Sequence, residues 1–346
     1  MTMVSRPVDT RQSDPAQAVS HRIGMSHRLV EAARRYLPEL VVTGLLFLGF
    51  GVSSLLSPFF LDAQFLYREA LLYVEIGLLA IVLTPIFISG NLDLSVASNL
   101  AMVACTTAYL HAKLGVDMGL SIVLGVALGV LAGAFNALVI VRIGLPSLVV
   151  TLGTMALYRG VAQILVGDWS IQDFPRWFIG IDRVTLPGIG IPLPIIILLV
   201  VAILFGLIMH KTVFGRWVYA VGTNEEAARF SGVPVQRVKF LLFVLAGLFS
   251  AIAGLMLDSR LAVARYDHAR GAELEAITAL VLGGTSMAGG RGTIYGTLVA
   301  VFLVGVLRTG MGVANIKVES QLAVVGTLLV ASVIASNALA RVGRSR

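Results

Sequence analysis

A carboxylate set in hydrocarbon is costly and is kept for a reason, which makes Glu75 and Asp93 the first residues to ask about. Glu75 stands inside an apolar run. There it would serve as a proton or substrate site, or stand paired within a helical bundle or near a water-filled gap. Asp93 lies in a polar break between Asn91 and Ser95. Its side chain suits a solute, or the start of the following helix, whose first amides need an acceptor. Thr151, Thr154, Tyr158, Arg159 and Gln163 recur at helical spacing. Hydroxyls and an amide on one line can hold a neutral sugar, or can bond neighbouring helices to each other. Other chemistry finds no support. His21, His27, His111, His210 and His268 are scattered without metal-ligand spacing, and there is no GxxxxGK[ST] phosphate loop, catalytic dyad or cofactor fingerprint. The lone Cys105 excludes an intrachain disulfide.

A second cluster is polar and basic, residues 210–239 (HKTVFGRWVYAVGTNEEAARFSGVPVQRVK). Thr223-Asn224-Glu225-Glu226 fits a capping box, in which Thr223 accepts from the third helical amide and Glu226 reaches back. Two glutamates in the first turn suit the positive end of a helix. Gly232 stands where a left-handed C-terminal cap is wanted, and Pro234 prevents continuation. The spacing predicts a helix of about eight residues, roughly 12 Å long. Ala227 and Ala228 would give it a small-sided face able to enter a groove on a soluble partner. The plainer alternative is an ordinary capped helix in a long loop.

The elements that must carry these residues are apolar. The 346-residue chain is 57% hydrophobic and 13% charged, with a mean hydropathy of +0.91. Near-continuous runs of membrane-spanning length predict an all-α polytopic membrane protein. Expected spans fall near 40–60, 70–90, 94–112, 118–141, 147–166, 190–209, 240–257, 273–285, 292–312 and 320–339, about ten helices. The span at 273–285 is too short to cross upright and reads as a half-helix or re-entrant element. Residues 84–103 and 277–296 each place a Gly/Ser/Asn-rich break between apolar arms, the pattern of broken helices in an internal repeat. Residues 1–38, with six arginines, read as a cytoplasmic basic tail, 39–340 as the transmembrane domain, and 341–346 as a cytoplasmic C-terminus.

Under that arrangement sixteen Lys and Arg lie on the tail side and eight on the other, the bias expected of an inner (plasma) membrane protein with both termini in the cytoplasm. The net charge of +7 is thus assigned to the membrane rather than to nucleic acid. Arg260, Arg265 and Arg270 break the pattern by clustering on the outer side. Gly125, Gly129 and Gly133, and likewise Ala246, Ser250 and Gly254, recur at four-residue spacing and predict close helix packing. Trp169, Phe174, Trp177 and Phe178 read as an interfacial belt, or as a surface for an external binding protein.

Four stretches carry a resemblance to a known family. The insert resembles the EAA-type coupling loop of ATP-binding-cassette importer permeases. ISGNLDLSVAS (88–98), GLPSLVVTLGTMALYRG (144–160) and ITALVLGGTSMAGGRGTIYGTLVAV (277–301) are similar, in order, to blocks of the sugar branch of that superfamily, the ribose, arabinose, xylose, rhamnose and autoinducer-2 permeases. The rhamnose and autoinducer-2 type fits best. The first block departs at Asn91-Leu92, where the family has Gly-Ile. The resemblance implies a permease subunit that forms the pathway for a monosaccharide and binds no cofactor itself. It implies ATP and Mg on a partner ATPase docking at Thr223, Asn224, Glu225, Glu226, Ala227, Ala228 and Gly232. It also implies a second permease subunit, a periplasmic sugar-binding protein and a lipid environment. Asn91, Asp93, Ser95, Thr151, Thr154 and Tyr158 are the candidates for the solute pathway. The rival expectation is a secondary transporter driven by an ion gradient, with Glu75 and Asp93 as its best arguments.

Overall fold

The computed structural model describes residues 39–331 apart from 56–59, 182–183, 186–189, 322 and 329; the basic tail and the C-terminus lie outside the described residues. The described residues open with α1 (Glu39–Leu55). Then come α2 (Ala63–Leu71), α3 (Val74–Ile88), α4 (Val96–Ala112), α5 (Met118–Leu138, prolonged by a π turn over Val139–Ile143), α6 (Ser147–Val166) and the short α7 (Arg176–Ile179). The second half comprises α8 (Leu193–Lys211), α9 (Val213–Thr223), α10 (Glu225–Phe230), α11 (Val235–Leu261), α12 (Ala272–Leu282) and α13 (Ile294–Val313). Local chemistry sets several starts. Asp62 accepts from the amide of Phe65, Asp117 from those of Gly119 and Leu120, and Thr293 from that of Gly296.

The all-helical membrane architecture is as expected, but the count is not. Among the described residues five helices are long and apolar enough to cross a bilayer: α5 with its π turn, α6, α8, α11 and α13. A sixth results if α2 and α3, bent by 57°, count as one span. Hydropathy counts greasy runs and is blind to where they fold back. The run at 70–90 is turned at Leu72-Tyr73, α4 is held to 17 residues by the break before it, and α12 stops after 11. Half of the span expected at 320–339 lies outside the described residues; of the other half, 320–321, 323–328 and 330–331 are helical.

Helix α3 is apolar all round and buried along nearly its whole length, so it occupies the centre. The small-residue stripes pack as expected, with one exchange of partners. Gly129 and Gly133 of α5 meet Gly247 of α11 backbone to backbone, while Gly125 faces Val103 and Thr107 of α4 and Gly254 faces Leu100. Gly247 rather than Ala246 is thus where α11 approaches α5 most closely. Asn99 of α4 spans this seam, its amide nitrogen 3.3 Å from both the Gly129 and the Gly247 carbonyl oxygens.

At the end of the bundle remote from the insert, several basic residues are engaged by acids or carbonyls. Arg260, in the last turn of α11, grips Glu75 with two bonds of 3.0 and 3.2 Å. Arg265 pairs with Asp267 at 2.7 Å, and Arg308 with Glu275 at 2.9 Å. Arg159 donates to the carbonyl oxygens of Tyr266 and His268. The arginines that spoiled the charge asymmetry are therefore mostly held by acids or carbonyls at their own end. Of the four aromatics expected at the surface only half are there: Trp169 and Trp177 are exposed, whereas Phe174 and Phe178 are buried against Met118 and Ala162.

Candidate functional site

The insert forms two helices set at an angle between α8 and α11. Helix α9 starts where Thr212 accepts from the amide of Gly215. It ends at Thr223, whose hydroxyl donates to the Tyr219 carbonyl at 2.8 Å. Asn224 then caps α10 by accepting from the amide of Ala227 at 2.9 Å. The cap is therefore Asn224 and not Thr223, because Thr223 is still helical and its hydroxyl is committed one turn back. Helix α10 is accordingly six residues long rather than eight.

Its end is as expected. Gly232 has φ +82, Val233 N donates to Ala228 O at 3.0 Å and Gly232 N to Arg229 O at 3.1 Å, the paired bonds of a Schellman cap. Lys239, reaching from α11, holds Glu225 at 2.7 Å, and Arg229 reinforces it at 3.4 Å. The small-sided face is corrected: Ala228 is buried against Val221 and Val235, so it anchors α10. The outward face carries Glu226, Ala227, Arg229 and Phe230, and Phe230 is 84% exposed. An aromatic on the tip of a capped turn is the feature that a search for small residues passes over.

The rear of the insert meets both breaks in the helices. Gly222, the penultimate residue of α9, lies against the Ile88 carbonyl and Gly290, so closely that a Cβ there would overlap backbone. Gly90 and Gly289, both at positive φ, pack on each other and on Gly222. Gly290 N donates to Ile88 O at 2.8 Å, and the Tyr219 hydroxyl donates to Gly292 O at 2.7 Å. The break after α3 and the break after α12 thus converge on one point, beneath α9. The two arms also touch above it, where Thr84 and Thr297 share a 2.8 Å hydrogen bond.

From the first break a buried polar chain runs sideways. Asp93 accepts from both the amide and the hydroxyl of Ser95, at 2.9 and 2.6 Å. It thereby fixes the turn before α4 rather than capping an amide within the helix. The Ser95 hydroxyl accepts from Asn136 of α5 at 2.8 Å, and the Tyr158 hydroxyl of α6 donates to Ala132 O at 2.8 Å and lies 3.3 Å from Asn136 Oδ1. Asn91 N donates to Ile86 O, and its amide nitrogen donates to Ser89 at the backbone and side chain. The left-handed position is Gly90, which is why Asn91 is tolerated where the family has glycine. Thr151 and Thr154 donate to carbonyls of their own helix, those of Ser147 and Val150. Of the six expected pathway residues, Asp93, Ser95 and Tyr158 are thus drawn together, and Asn136 is the partner that joins them.

A family model for the permease component of branched-chain amino acid transport systems matches residues 68–333. The chain belongs to that permease family. The autoinducer 2 import system permease protein LsrD of Yersinia enterocolitica serotype O:8 is 37% identical over 307 residues, covering 87% of this chain and 92% of the relative. The LsrD proteins of Salmonella paratyphi B and Photorhabdus laumondii are 35% and 33% identical over the same length, with 92% and 91% of each relative covered. No solved structure matches. The resemblance read from the sequence blocks stands, and the insert and both breaks fall inside the matched region of this permease.

Proposed function

We propose that this permease is the membrane-spanning subunit of an ATP-driven importer for a monosaccharide or an autoinducer 2-like solute, with α9 and α10 facing the cytoplasm as its coupling element. The reading is carried by one observation: the rear of the insert, Gly222–Thr223, is seated on both helix breaks at once. A push on α10 reaches Ile88 and Gly290 through backbone contacts alone, with no side chain able to yield between them. A separate ATPase bearing ATP and Mg docks on the exposed face of α10, with Phe230 as anchor. Aromatic side chains make such anchors because they bury much area for little lost freedom. A second permease subunit completes the pathway, and an external binding protein delivers solute. The solute class comes from the relatives named for autoinducer 2 import. The gradient-driven alternative loses its supports, since Glu75 is gripped by Arg260 and Asp93 is engaged by Ser95.

Co-purification of the tagged chain from its native membrane tests the docking. Wild type carries an ATP-binding-cassette ATPase, and Phe230→Ala and Ala227→Glu lose it while remaining in the membrane at wild-type amounts. Equal retention by all three would overturn docking at α10.

A further inference from the structure

Helix α13 is polar where it approaches the end remote from the insert. Gly305 leaves room for the ring of Tyr73, which a Cβ would meet at 2.9 Å. In the next turn Thr309 donates to Glu69 Oε2 at 2.8 Å, and Arg308 Nη2 donates to Glu275 at 2.9 Å. Glu69, Tyr73, Arg308 and Thr309, with Gln321 opposite, line a groove of about 350 Å³. Arg308 Nε is buried and has no hydrogen-bond partner. One ion pair would suffice to tie α12 to α13. A carboxylate, a guanidinium, a phenol and a hydroxyl converging on one space exceed that need. Charged groups are not turned towards lipid tails, so this face is turned to water or to another protein. The volume lies at the low end of small-molecule sites.

We propose that this groove binds a small, uncharged, polyhydroxylated solute through Glu69, Tyr73, Arg308 and Thr309. Glu275 neutralises Arg308, so the guanidinium contributes a donor more than a charge. Glu69 and Tyr73 supply acceptors beside it, and neighbouring hydroxyls on a sugar ring present matched donor and acceptor pairs. The proposal rests on the importer reading for the direction of travel: the groove is then the outward-facing site, and the insert lies at the opposite end.

The test uses the complete transporter in spheroplasts resupplied with its external binding protein. Gly312, beside the groove, has nothing within 4 Å of an added Cβ, so Gly312→Cys introduces a thiol without a clash. Cys105 is buried and contributes no background. A membrane-impermeant thiol reagent added outside labels the variant. Labelling is slowed about tenfold when autoinducer 2 or rhamnose is present near ten times its Kd. Adding Glu69→Gln and Thr309→Val abolishes that protection while an unrelated outer-surface thiol labels as before. Gln321→Cys repeats the measurement should Gly312→Cys not reach the membrane. Unchanged labelling, in cells whose wild-type transporter imports the same solute and retains its ATPase, overturns the groove and leaves the importer reading standing. Failure of the wild type to import either solute strikes at the importer reading instead.

Discussion

Gly222 lies so close to the Ile88 carbonyl that the end of α9 and the end of α3 are in backbone contact. Nothing larger than hydrogen fits there, because the neighbour is a peptide group and not the movable end of a side chain. Gly222→Ala must therefore shift α9 away from both breaks. Overpacking of this kind costs about 1–3 kcal/mol. The expected outcome is a transporter that still co-purifies with its ATPase, since the outer face of α10 is untouched, but whose ATP-driven uptake falls about tenfold or more, one such decade per 1.4 kcal/mol. Uptake in proteoliposomes at wild-type rates would show that the contact transmits nothing.

Asn224 and Thr223 should separate cleanly. Asn224→Ala removes the acceptor of the Ala227 amide and costs about 1 kcal/mol of α10 stability. Thr223→Val removes only a hydroxyl bonded within its own helix, and should leave α10 unchanged. Hydrogen exchange at the Ala227 amide reads the difference directly, and equal exchange in both variants would contradict the assignment of the cap.

Breaking the Glu75–Arg260 pair should cost more than removing it. Glu75→Gln leaves Arg260 without its charge partner in a mostly buried setting, and losses of about 3 kcal/mol are usual there. Glu75→Met combined with Arg260→Met should recover most of that loss. Thermal unfolding in detergent distinguishes the two, and a double variant less stable than the single one would reverse the argument.

The loop between α11 and α12 should loosen in acid. The Arg265 guanidinium, by hydrogen bond and charge, holds the Asp267 carboxyl below its ordinary value of 3.8. A carboxylate with a depressed value in the folded state stabilises above its unfolded value and loses that contribution as pH falls through the depressed one. Protection of the 265–270 amides, taken from exchange corrected for its intrinsic pH dependence, should therefore be steady above pH 3.8 and fall below it. Salt should weaken the effect, because the pair is exposed. Asp267→Asn should exchange faster already at neutral pH.

What the sequence disclosed and what it hid divide along contact range. Gly232, Pro234 and the two broken segments were legible because caps and breaks are written in neighbouring residues. The cap itself was misplaced by one residue, since the competing acceptor for Thr223, the Tyr219 carbonyl, exists only once α9 is a helix. Ala228 was turned the wrong way for a related reason: Val221 and Val235, which bury it, belong to the flanking helices. The partner of Glu75 stands 185 residues away, beyond any spacing argument. The ten expected spans are not confirmed among the described residues, because hydropathy measures how greasy a run is, and not whether a turn at Leu72-Tyr73 or a glycine cluster after Leu282 divides it. Asn136, an amide inside an apolar run, was the signal in plain view for the chain linking Ser95 to Tyr158.

Asn99 has a mechanical consequence. By reaching two carbonyls on different helices, its side-chain nitrogen pins α4 to the seam where α5 and α11 meet without intervening side chains. Those three helices are thereby held as one packed unit. Under the proposed coupling, a displacement delivered by the insert would reach the glycine joints after α3 and α12, which lie outside that seam.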